Sequence, residues 1–189
     1  MPDGTPGPAE SLALWRIAQT EGIGPMGFRR LLARHGSGAA ALDALPRLLA
    51  KREAPARIPS ADDARREADA MAKLGARFIF WGSAAYPPLL ALLADAPAML
   101  AVQGDAALLA HMPSFAIVGA RNASAAGRRI AEDIAEELTR AGVLVVSGLA
   151  RGVDAAAHQG ALRAGRTLTV LPGGLDVAYP PENAALQAR

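Results

Sequence analysis

The sequence predicts an α/β protein built on a parallel sheet, and three observations carry that reading. Three short apolar runs, Phe115–Val118, Val143–Val146 and Thr167–Leu171, have the continuous hydrophobic character of strands covered on both faces. Helix-length segments separate them: Ile130, Ile134 and Leu138 recur at i, i+4 and i+8 in the first, and a second runs through Leu162. Each apolar run also passes directly into a loop of glycine and other small residues. Strand–helix–strand–helix–strand order calls for parallel pairing, right-handed crossovers and helices on both faces of the sheet.

The residues upstream read differently. Leu12, Leu14, Trp15, Ile17 and Ala18 give one apolar helix face, and Phe28, Leu31 and Leu32 give another, with Trp15 expected in the core. Between them Glu21-Gly22-Ile23-Gly24-Pro25 forms a glycine turn with proline at a first helical position. The turn resembles a helix–hairpin–helix turn, whose backbone N–H groups can meet a nucleic-acid phosphate. Small helical domains use the same turn for packing, so both readings stand. Helix continues over Ala39–Ala50, and the two prolines within Glu53–Ser60 mark a linker. Beyond it come a charged helix over Asp62–Leu74 and two short strands, Arg77–Trp81 and Met99–Val102. The expected organisation is a disordered tail over residues 1–8, a small all-helical domain over 9–58 and an α/β domain over 59–189.

Composition narrows the function classes. With 189 residues, 51% of them hydrophobic, the chain is long enough for a domain plus a small second one and too apolar for intrinsic disorder. It has no cysteine, which excludes a disulfide scaffold, a thiolate nucleophile and a cysteine-ligated zinc. Three scattered histidines, His35, His111 and His158, argue against a protein-built metal site. The first residues lack the charged and apolar regions of a signal peptide, and no apolar run approaches the roughly 20 residues that span a bilayer. A cytoplasmic protein without membrane, metal or cofactor is expected. The net charge is only +2, yet 18 of the 20 basic residues are arginine. Arginine suits phosphate, although a GC-rich genome accounts for the totals equally well.

Position says more than totals. In a parallel sheet the three small-residue loops emerge together at the carboxyl edge, where open α/β sheets bind ligands. The first holds Gly119, Arg121 and Ser124, the second Ser147, Gly148, Arg151 and Gly152, and the third Gly173 and Gly174. Two of them precede helix N-termini, whose N–H groups favour anions. One such loop is an ordinary tight turn; three on one edge, two with arginine, predict a phosphate-binding crevice. Neither G-x-G-x-x-G nor a P-loop is present. Asp154 and His158, four residues apart, suit an acid–base pair, but the pattern favours structural roles for both. Asp176 reads as a turn former, and Tyr179 as a residue that stacks on a base or covers the crevice.

Longer motifs then carry a resemblance. Tyr86-Pro-Pro-Leu-Leu90, Ala96-Pro-Ala-Met-Leu100, Gly104-Asp105, Ile117-Val-Gly-Ala-Arg121, Ser147-Gly-Leu-Ala-Arg-Gly-Val-Asp-Ala-Ala-Ala-His158, Ala161-Leu162 and Gly173-Gly-Leu-Asp-Val-Ala-Tyr-Pro180 resemble the DNA-processing protein A (DprA/Smf) family over about residues 77–183. The resemblance implies a Rossmann-like DNA-binding domain preceded by a sterile-alpha-motif-like helical module. It implies no catalysis: the family protects incoming single-stranded DNA in natural transformation, helps load the RecA recombinase, and forms homodimers through the Rossmann-like domain. Carried over, Arg121 becomes the principal phosphate contact, with Ser147, Gly148, Gly173 and Gly174 shaping the pocket. Ala120 stands where the family carries serine. The family's domain continues beyond the equivalent of Arg189, so the chain corresponds to the helical module and the first part of the sheet. Two other readings remain. One is a nucleotide-processing enzyme of the phosphoribohydrolase type, matched by Pro172-Gly173-Gly174 but not by the Leu175-Asp176 that follows. The other is a protein-interaction module centred on the helices.

Overall fold

The computed structural model describes residues 6–50, 56–110 and 113–189. Residues 1–5 of the expected tail, residues 53–55 of the expected linker and His111 lie outside the described residues. The chain forms two compact units, divided after Ala110.

The first unit opens with three helices, α1 (Pro8–Ala18), α2 (Pro25–His35) and α3 (Gly38–Leu49). Pro8, placed in the tail by the sequence reading, already sits in α1, because proline at a first helical position gives up no hydrogen bond. The carboxylate of Glu10 in α1 accepts the N–H groups of Gly38 and Ala39, which caps the start of α3 and joins the two helices. Ile17, Phe28, Ala41 and Leu45 are fully buried at the centre, with Trp15 beside them as expected.

Helix α4 (Ala61–Lys73) and the strands β1 (Ala76–Phe80) and β2 (Met99–Gln103) follow. The strands pair with each other, antiparallel, in a sheet of their own. Ala64 of α4 and Phe80 of β1 join the helical core, and Phe78, Trp81 and Met99 pack against it. A short helix, α5 (Pro88–Ala91), lies in the β1–β2 connection. Arg29 of α2 fastens this region: its guanidinium donates to the carbonyls of Leu93 and Ala94, each at 2.8 Å, and lies 4.3 Å over the Trp81 ring. Apolar burial and this arginine hold residues 59–110 to the helices, whereas the sequence reading set the boundary at residue 58.

The second unit carries the parallel sheet. Its strands β3 (Ser114–Ala116), β4 (Leu144–Ser147) and β5 (Thr167–Thr169) are ordered β3-β4-β5, with Phe115 opposite Val145 and Val145 opposite Thr167. Helix α6 (Ala125–Arg140) connects the first pair and α7 (Val153–Ala164) the second; a short α8 (Ala184–Gln187) closes the chain. The α/β reading is therefore correct, but both connecting helices lie on one face. Strands taken in sequential order, each joined by a right-handed crossover, leave no other choice. On that face Val145 is packed with Ala135 of α6 and with Ala157 and Ala161 of α7. The opposite face carries Val118 and Val170, 74% and 61% exposed.

A second correction concerns α6. Of the apolar residues spaced at i, i+4 and i+8, Leu138 packs against the core while Ile130 and Ile134 are exposed, and Ala131 and Ala135 are buried. The cause is how closely α7 approaches. A Cβ on Gly160 would fall 2.8 Å from the Glu132 main-chain Cα and carbonyl carbon, so the interface has room only for small side chains. No described helix is long and apolar enough to cross a membrane. Replacing Gly160 with valine forces α6 and α7 apart. The expected loss is about 2 kcal/mol or more of stability, measurable as a lowered urea midpoint.

Candidate phosphate-binding loops

The three loops do meet at the carboxyl edge of β3, β4 and β5. Loop one runs from Ile117 to Ser124. Its backbone lies against loop two: the Ala120 carbonyl accepts the Val153 N–H at 3.2 Å, and a Cβ on Gly119 would sit 2.8 Å from the Val153 side chain. Arg121 is exposed, and no described carboxylate pairs with it. Ser124 caps α6, its hydroxyl oxygen accepting the Gly127 N–H at 3.1 Å. The N–H groups of Arg121, Asn122, Ala125 and Ala126 have no acceptor among the described residues. Loop one thus carries unpartnered backbone donors and an unpaired guanidinium, at the positive end of a helix of 16 residues.

Loop two is built more tightly. Ser147 is buried and donates its hydroxyl to the Ile117 carbonyl at 2.6 Å, so it rivets β4 to the end of β3. Gly148 donates its N–H to Asp154 Oδ2 at 3.1 Å, where a side chain would meet that oxygen. Leu149, buried, holds a left-handed φ of 58°. Gly152 has a φ of 76°, and a Cβ there would lie 2.7 Å from the Arg121 carbonyl oxygen, which makes glycine obligatory. The start of α7 is largely satisfied from within, since Ala120 takes the Val153 N–H and Ala150 takes that of Ala155. The expectation of free donors at both helix N-termini therefore holds for α6 and not for α7.

Loop three positions the segment that locks loop two. Gly173 and Gly174 are exposed, and the Asp176 carboxylate folds back over Gly174, with the Val177 N–H donating to the Gly174 carbonyl at 3.2 Å. Tyr179 is 67% exposed, so it does not cover a closed crevice. Sequence reasoning missed two residues just beyond. Asn183 donates to the carbonyls of Leu149 at 2.8 Å and Ala150 at 3.3 Å, holding the strained turn. Glu182 pairs with Arg151 through both carboxylate oxygens, Oε1 on Nε and Oε2 on Nη2 at 3.3 Å. The Pro-Pro-Glu-Asn spacing after the third loop was the available signal. Two arginines that look equivalent in sequence are therefore unequal: Arg121 is open and Arg151 is engaged.

Asp154 and His158 are both buried. His158 shares a 2.9 Å hydrogen bond between Nδ1 and Thr167 Oγ1. The Thr167 hydroxyl hydrogen is committed to the Val145 carbonyl at 2.8 Å, so Nδ1 is the donor in this pair. Burial pushes the His158 pKa down, with Asp154 and the Ser147 carbonyl partly offsetting it.

A family model described as DNA recombination-mediator protein A matches residues 77–189, all three loops included. The chain belongs to that family. A second model, a DprA-like N-terminal HHH domain, matches residues 8–70. Among curated family proteins, the DNA processing protein DprA of Bacillus subtilis is 40% identical over 102 residues, 53% of this chain and 34% of that one. Protein Smf of Escherichia coli is 40% identical over 104 residues, 54% of this chain and 28% of that one. The match thus spans about a third of these relatives' length. The X-ray structure of DprA from Streptococcus pneumoniae shares the fold with a TM-score of 0.73 at 23% identity, covering 94% of this chain and 63% of that one. DprA from Helicobacter pylori, solved for its single-stranded DNA binding mode, aligns with a TM-score of 0.52 at 31% identity over 59% of this chain and 50% of that one.

Within the family's motif, Tyr86 is also explained: it is buried and donates its hydroxyl to the Pro97 carbonyl at 2.7 Å, closing the β1–β2 connection. For His158 the sign of the pH effect is determined. The unfolded chain protonates this ring near the ordinary value of 6.5, before the folded one does. Stability is therefore full above that pH and falls as pH drops toward the lowered folded value. Between pH 7.5 and 5.5 the wild type is expected to lose about 1 kcal/mol more than His158→Asn, read from urea unfolding at both pH values.

Proposed function

We propose that this chain is the single-stranded DNA-binding part of a recombination mediator that acts without catalysis. The observation that carries the reading is loop one, where N–H groups of the loop and of the α6 N-terminus and the Arg121 side chain have no partner among the described residues. Such a set of donors suits a phosphodiester, and a backbone contact of this kind favours binding that is salt-dependent and tolerant of sequence. Gly173 and Gly174 leave the approach to the edge open, and the exposed Tyr179 ring offers a base a stacking surface. The single-stranded DNA binding mode of Helicobacter pylori DprA supports the ligand class. The buried, structurally committed Asp154 and His158 support a binding role over a nucleotide-processing one. As a family member in the cytoplasm, the protein would shield incoming strands, pass them to the RecA recombinase and dimerise through the Rossmann-like domain.

Fluorescence anisotropy with a labelled oligothymidylate tests the assignment. Arg121→Ala is expected to weaken binding about tenfold and to flatten the salt dependence by about one unit of log–log slope. Unchanged affinity and slope would remove Arg121 from the interface.

A further inference from the structure

Loop two presents Arg151 with its anion position already filled. Both carboxylate oxygens of Glu182 sit on the guanidinium fork, the arrangement a phosphate would take. Glu182 lies in a segment tied to loop two. The buried Pro180 precedes it by two positions, and Asn183, the next residue, is tied to the carbonyls of Leu149 and Ala150. Its carboxyl is held below its usual range by a hydrogen bond to its own backbone N–H and then by Arg151, so it is charged at neutral pH. Arg121, in contrast, is free, and its backbone touches that of Gly152, the residue after Arg151.

We propose that Glu182 guards Arg151 and so makes the site select a strand with consecutive phosphates over a mononucleotide or free phosphate. The inference rests on the single-stranded DNA reading above. A lone phosphate reaching Arg151 competes with a carboxylate tethered beside it, at an effective concentration on the order of millimolar. A strand already anchored at Arg121 brings its next phosphate to Arg151 at a comparable effective concentration, and the exchange becomes nearly balanced. The Arg151–Glu182 pair is half-exposed, a setting in which ion pairs are weak, so a polymer can open it. Arg121 captures, and Arg151 commits only to a continuing strand.

The test compares dTMP, a thymidine tetranucleotide and a 15-nucleotide oligothymidylate on the 189-residue chain, with thermal melting to check folding. Glu182→Gln is expected to tighten dTMP about two- to fivefold, more than it tightens the tetranucleotide or the 15-mer, and so to narrow the wild type's preference for a strand. In an Arg151→Ala background, the same substitution is expected to change affinity much less. Three results overturn the guard: no tightening by Glu182→Gln, an equal gain with and without Arg151, or wild-type affinity for dTMP matching that for the tetranucleotide. Should the wild type and Glu182→Gln both bind none of the three ligands, the DNA-binding reading fails as well, an outcome distinct from guard failure alone.

Discussion

The close approach of α7 to α6 and to loop one is the constraint on which the second unit depends. Gly160 lets α7 lie directly on the α6 backbone at Glu132, and Gly152 lets the turn before α7 press against the Ala120 and Arg121 carbonyls. Val153 then donates to Ala120, which sets the two loops at a fixed separation. Because the helices are this close, small side chains dominate between them, and the small core is Val145 with Ala135, Ala157 and Ala161, edged by Ile117 and Leu138. Such a core buries little area per residue. Order must therefore come from directed contacts: Ser147, Asp154 and Asn183 tie loops and strands together at the carboxyl edge, and Thr167 ties the start of β5 to β4.

Those ties divide the labour between the loops. Loop two has its polar groups engaged: Asp154 takes the Gly148 N–H, Ala150 and, from loop one, Ala120 take the first α7 donors, and Glu182 takes Arg151. Loop one commits few of its own, because Ser124 alone caps α6 and Arg121 faces solvent without a partner. A rigid second loop thus supports an open first loop. On the reading proposed above, donors of loop one would be held in place by the contacts of loop two, without a side-chain cradle.

Much of the fold was legible because apolar strands and glycine loops are local signals. The runs beginning at Phe115, Val143 and Thr167 mark β3, β4 and β5, and the placing of the loops at one edge follows from parallel pairing alone. Less legible was which face each helix residue uses. Ile130 and Ile134 obey the periodicity of a buried stripe, yet the approach at Gly160 turns the alanines inward, a distance no periodicity encodes. The same holds for β1 and β2. They read as strands of the α/β domain, but their partner core is helical, fixed by Phe80 burial and the reach of Arg29.

The sequence by itself determined the α/β class, the family, and the set of groups gathered at the carboxyl edge, because strand order and loop composition are properties of the chain read in one dimension. Only the tertiary structure decided which of those groups remain free. Arg121 and Arg151 are the same residue type in similar loops, and their difference is made by Glu182, which lies 31 positions from Arg151 and is brought there by the turn through Pro180 and Asn183. Whether a donor is available depends on what has folded against it, and that is settled by packing in three dimensions.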